Sequence, residues 1–182
     1  MFIPIHLDSY CNNIGVTSND TIYEGNLTLN GSSLPLEGPF CKQVFYFEHI
    51  PFYMKKLSKF DNIAMEGQEI KVNAYNAKNI HIIGNSVSGS YFDDISFKSE
   101  GEIIERKRLS LTDFISEEPV FNNQLFYRFT KINSRQPLHL KGSLWKQSIN
   151  FEPSINVESI ILEDNPFIHI FAITIEEGLK TH

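Results

Sequence analysis

Apolar positions in this chain come in short runs cut by turn-forming residues. The densest stretch is Phe60 to Gly84, where Ile63, Met65, Ile70, Val72, Ile80, Ile82 and Ile83 are interrupted by Gly67-Gln68 and by the polar segment Asn73 to Asn79. That punctuation predicts strand, turn and strand, with neighbouring strands at the centre of a β protein. Upstream, Phe2 to Leu7 reads as a first strand. Asn12 to Pro39 is loop-dominated, with short alternations at Thr21 to Tyr23 and Asn26 to Leu29 and a tight-turn signal at Asn30-Gly31. Val44 to Phe47 and Ile50 to Tyr53 predict a short strand pair, with Pro51 marking an edge or a bulge.

Downstream, Tyr91 to Phe97 alternates and Gly101 turns the chain into Glu102 to Leu111, an antiparallel pair. Thr112 to Asn123 holds the one scrap of helical pattern, and Pro119 interrupts it. Gln124 to Thr130, Leu138 to Leu144 and Val157 to Leu162 read as strands. Phe167 to Ile175 is apolar on both faces, which predicts a central strand covered on both sides. About ten strands with almost no helix point to an all-β fold, a two-sheet antiparallel β-sandwich. A jelly roll is expected in preference to an immunoglobulin-like sandwich, because the single Trp145 follows both Cys11 and Cys41 and does not lie between them. The shared core should contain Ile63, Met65, Ile80, Ile82, Ile170 and Ala172.

A chain of 182 residues that is 41% hydrophobic is long enough for one proper core and short for two domains, so a single domain over residues 1–182 is expected. Aromatic content of 13%, mostly Phe, suits pleated sheet faces. The net charge of -6 repels phosphate backbones, and the one basic cluster, in Glu105-Arg106-Lys107-Arg108, reads as a solvated strand face, so no nucleic-acid partner is expected. The first residues show no signal peptide and no membrane anchor, giving a cytoplasmic expectation, with secretion only from a processed precursor. Cys11 and Cys41 read as reduced thiols.

Catalytic patterns are sparse. No Gly-x-Ser-x-Gly turn occurs, and His6, His49, His81, His139 and His169 sit singly on separate strands. His169, on a face with Phe167, Phe171 and Ile173, reads as a hydrogen-bonded core histidine. Asp93 and Asp94 point to opposite faces of one strand and cannot act as an acid/base pair. Glu163 and Asp164, in a turn before Asn165-Pro166, offer oxygen ligands for a hard cation, joined by Asp61 or Glu66; the alternative is solvated turn acids. Sugar recognition needs an exposed aromatic face with polar neighbours. Trp145 is the leading candidate for that platform, with Tyr75, Asn76, Tyr10, Asn12 and Asn13 as further ligand-binding candidates.

Tyr10-Cys-Asn-Asn-Ile-Gly-Val, Phe60-Asp-Asn-Ile-Ala-Met-Glu-Gly-Gln-Glu-Ile, Ile80-His-Ile-Ile-Gly-Asn-Ser-Val-Ser-Gly and Asn165-Pro-Phe-Ile-His-Ile-Phe-Ala-Ile-Thr-Ile together resemble a galactose-binding-domain-like jelly roll. Modules of that kind are appended to many bacterial glycoside hydrolases and also occur alone. The resemblance implies a non-catalytic module that binds carbohydrate and in some members holds a structural calcium ion; it transfers no catalytic residue and no other cofactor. The expected function is therefore glycan binding. The alternatives are a structural or interaction protein that assembles with itself, as a homodimer, or with a partner, and, third, a glycan-processing enzyme.

Overall fold

The computed structural model describes residues 1–136 and 138–178. Strands hold 56% of the chain and short 3-10 helices 6%, and antiparallel sheets pack together as an all-β sandwich. Three long strands form its spine: β7 (Glu69–Ser86), β11 (Gly142–Leu162) and β12 (Asp164–Glu177). β7 lies between the other two, antiparallel to both. The outer edge of β12 takes β6 (Ile63–Glu66) beside its first half and β1 (Phe2–Pro4) at its end. The outer edge of β11 takes β10 (Gln124–Phe129) and then β8 (Tyr91–Ser99), and β9 (Glu102–Leu111) closes the order against β8.

Two small sheets complete the fold. β4 (Phe45–Phe47) and β5 (Ile50–Phe52) form the expected hairpin, and β2 (Val16–Thr17) pairs in parallel with β3 (Leu34–Pro35). The segment Thr21 to Tyr23, a short alternation within the loop-dominated entry, lies in a 3-10 turn over Asn19–Glu24, and a second turn covers Gly38–Cys41. Thr112 to Asn123 is not helical: Asp113 accepts from the amide of Ile115, and Asn123 bonds Thr112, so side chains take up the backbone groups that a helix would pair.

The long strands correct the sequence reading at two places. Asn73 to Asn79, expected as a turn, lies inside β7. There Asn73 and Asn76 take positive φ, +50° and +53°, which Asn tolerates, and the ladder to β11 shifts register instead of reversing. Ile70 and Ile80 therefore belong to one bent strand. The expected separate strands at Leu138 to Leu144 and Val157 to Leu162 likewise join into β11, through a stretch whose register against β7 slips three times. The turn at Gly67 is real, but β6 leaves it to pair with β12 and not with β7.

The spine is buried on both faces, so the molecule has two cores. One gathers Ile63, Met65, Ile70, Ile82, Ile170 and Trp145 with residues of β8 and β9; the other gathers Ile83, Phe171, Ala172, Phe40, Phe52 and Phe129 under the first loop and the β4–β5 hairpin. Ala172 thus sits in the second core and not beside Ile170. A register shift between Ile170 and Ala172 places Phe171 and Ala172 together on one side and returns Ile173 to the other. Five of the six expected core residues share the first core. The second core takes up the Phe and Ile residues that a single core would have left at the surface.

Trp145 is fully buried, and its Nε1 donates to the carbonyl of Asp113 at 3.1 Å. Its ring is core, so the sequence reading of Trp145 as a ligand platform is wrong: no face of the indole is open to a sugar. Gly84 marks the closest approach within the spine, since a Cβ there would lie 2.3 Å from the carbonyl oxygen of His169 and 2.7 Å from Leu111 Cδ1. Truncating Trp145 to Ala should cost about 3–5 kcal/mol of stability in urea denaturation. Gly84→Ala should also lower the denaturation midpoint, because the atom met is backbone and cannot rotate away; a midpoint equal to wild type would show that β7 and β12 do not approach this closely.

Candidate functional site

The first loop is fastened to β6 by asparagine amides. Asn12 mimics a strand neighbour, donating from Nδ2 to the Ala64 carbonyl at 3.0 Å and accepting the Ala64 amide at 2.8 Å. Asn13 donates to the Asn26 carbonyl at 2.7 Å. Asn62, wholly buried, donates to Asn13 Oδ1 at 3.1 Å and to Asp61 Oδ1 at 2.9 Å, and its own Oδ1 faces His169 Nδ1 at 2.8 Å. An amide oxygen only accepts, so His169 carries its proton on Nδ1 and leaves the Nε2 lone pair. That nitrogen is buried and has no hydrogen-bond partner. Burial pushes the His169 pKa down to about 4, so the ring is neutral at pH 7.

His169 lines a pocket of about 260 Å³. Leu27 to Leu29 of the first loop form one wall and Ala64 and Glu66 of β6 another; Val87 and Ser88, after β7, face Pro166 and Phe167 at the start of β12. Phe167 is 38% exposed and stacks on Tyr91, with ring centroids 5.2 Å apart and planes 19° from parallel. Its carbonyl accepts the Val87 amide at 3.0 Å, which holds the β7–β8 turn against β12. Two larger hollows, of about 390 and 330 Å³, have no aromatic wall, and one lined by Tyr53 and Phe60 is far smaller, at about 30 Å³. The pocket over His169 alone among these hollows combines room, an exposed aromatic face and a buried polar atom without a partner.

Of the ligand-binding residues expected from the sequence, only Asn13 lines this pocket. Asn12 is committed to the backbone of β6. Tyr10 packs against the first core, and its hydroxyl accepts the Lys71 amide at 3.1 Å. Tyr75 and Asn76 do sit together, on the bend of β7: Tyr75 is 65% exposed, its amide donates to Glu177, and Asn76 is bonded to Ser154 and Asn156. They line a different part of the surface. Phe167, Ser88 and Asn26 were missed, although the Asn165-Pro166 break just before an apolar run is a signal that Phe167 opens a strand at a loop.

The acids expected to gather around a cation are not gathered. Asp61 lies before β6 and accepts from the Gly15 and Val16 amides, Asn62 and Lys56, so both its oxygens are engaged; burial holds its carboxyl above the ordinary value while Lys56 opposes. Glu163 and Asp164 lie past the other end of β6, with Asp164 opposite Glu66. Among the described residues, no three His, Cys, Asp or Glu side chains converge on a metal position.

Nucleophile chemistry is equally unprepared. Cys11 and Cys41 are free thiols, and burial, with Asp61 beside it, pushes the Cys11 thiol up to about 12. His81 contacts Ser148 Oγ through Nδ1 at 2.8 Å and lies 3.6 Å from Glu176 through Nε2, with the ring nitrogens exchanged relative to a hydrolase triad. Burial and then the charge of Lys146 lower its pKa.

No protein-family model matches the chain, and no curated protein does. No helix among the described residues is long and apolar enough to cross a membrane.

The neutral state of His169 makes stability depend on pH. Its folded pKa of about 4 lies below the unfolded 6.5, so its contribution is complete above pH 6.5 and is lost as pH falls toward 4, reaching about 3 kcal/mol. Asp61 and Asp113, raised by burial, act in the opposite sense but are common to wild type and variant. Denaturation of wild type and His169→Gln at pH 7 and pH 4 should show the wild type losing about 3 kcal/mol more than the variant. Parallel losses would mean that the ring is solvated or charged in the fold.

Proposed function

We propose that this chain is a non-catalytic carbohydrate-binding module, a jelly roll of the galactose-binding-domain-like kind, and that the sugar lies in the pocket over His169. The observation that carries this reading is Phe167, an exposed ring fixed by its stack on Tyr91 at the mouth of a hollow that also presents Asn26, Ser88 and Glu66. Sugars offer an apolar ring face and a polar rim, and this wall offers both complements. The four-part resemblance in the sequence supports the same reading, since the Phe60 to Ile70, Ile80 to Gly89 and Asn165 to Ile175 stretches supply most of the pocket wall.

Self-association as a homodimer is the second reading. It is favoured by β9, the last strand in the sheet order, which has no strand on its outer edge among the described residues, where Gln147 and Asn123 bond the backbone of Arg108 and Ser110, and whose Ile103 and Ile104 are 46% and 44% exposed.

Phe167→Ala should weaken retention on immobilised polysaccharide by about tenfold or more while the melting temperature stays close to wild type. Retention unchanged by Phe167→Ala would remove the pocket from the function. Sedimentation velocity at micromolar protein addresses the second reading: a stable dimer that retains no polysaccharide would put assembly first.

A further inference from the structure

The charges around the pocket narrow the ligand further, on the premise that the ligand is a carbohydrate. Among the described residues, Glu66 is the one Asp, Glu, Lys or Arg on the wall, and none of the ion pairs engages it. Asp164 stands directly across the β6–β12 ladder from Glu66, beside the wall and not part of it, also without an ion-pair partner among the described residues. Opposed residues in an antiparallel ladder share a face with Cβ atoms about 5 Å apart, and like charges in that position repel. Among the described residues, no Lys or Arg lines the pocket to offset them.

We infer that this pocket is built for an amine-bearing sugar, a hexosamine residue whose ammonium lies beside Glu66 and Asp164 while its ring covers Phe167, and that it rejects uronic acids. An ammonium relieves the carboxylate repulsion and supplies donors to Glu66. A uronate would add a third negative charge with no cation to meet it. Specificity here comes from repulsion of the wrong ligand as much as attraction of the right one.

Isothermal titration at about pH 6, where the amine is substantially charged and His169 is neutral, would use length-matched oligomers of glucosamine, glucose and galacturonate. The glucosamine oligomer should bind about tenfold or more tightly than the glucose oligomer, with galacturonate weakest. Glu66→Gln and Asp164→Asn, both at exposed positions, should narrow the gap between the first two to about threefold, and Phe167→Ala should weaken both. Equal binding of amine and neutral oligomers by wild type, or a gap that survives both charge removals, overturns the inference and leaves the carbohydrate reading standing. Glucosamine binding that Phe167→Ala does not weaken is general attraction to an acidic protein and also overturns it. No binding of any of the three by protein that melts cooperatively overturns the carbohydrate reading and this inference together.

Discussion

One buried amide, that of Asn62, is the joint on which the pocket end of this molecule depends. Three segments far apart in sequence meet there: the first loop through Asn13, the start of β6 through Asp61, and β12 through His169. A buried amide left without partners costs about 1–3 kcal/mol, so the three segments are held in the one arrangement that satisfies it. The adjoining Lys56–Asp61 pair extends the network, with Asp61 receiving the Gly15 and Val16 amides where a loop would otherwise bury them unpaired. Gly15 permits this closeness, since a Cβ there would fall 2.4 Å from Asn62 Nδ2.

The same joint shapes the pocket above it. With Asn62 accepting from Nδ1, His169 is fixed in one tautomer, and its other nitrogen is buried without a partner. Around it, Phe167 is steadied by Tyr91 from β8, and Ser88 is set by a turn bonded to the backbone of β12. Each wall therefore comes from a different element, and each is pinned by a hydrogen bond or a ring stack to a neighbouring one. A site assembled this way is preorganised, which limits the ordering cost of binding.

The spine makes this possible by bending. The irregularities at Asn73 and Asn76 keep Ile70, Ala74, Ala77 and Ile80 of β7 all in the first core, while the shift between Ile170 and Ala172 puts two successive residues of β12 in the second. Without the shift after Ile170, Ala172 would return to the face of Ile170 and the second core would keep only Phe171, which packs on Phe40, from this part of β12. The second core in turn carries the first loop, and the first loop is the pocket's wall.

Much of the fold was legible in the chain. Alternation and β-branched runs identify the β class, the β4–β5 and β8–β9 hairpins and the doubly buried β12, because these follow from local periodicity. Asn73 to Asn79 misled because Asn favours turns and bulges for the same reason, tolerance of positive φ, and only the hydrogen bonds of neighbouring strands decide which forms. Trp145 misled because its polar neighbours Lys146 and Gln147 suggested a surface, whereas Lys146 is itself buried, reaching Gln124 with its ammonium. The pocket was the least legible part. Its residues come from Asn26, Glu66, Ser88 and Phe167, and nothing in the local sequence brings these together; that was decided by strand pairing and by the polar joint at Asn62.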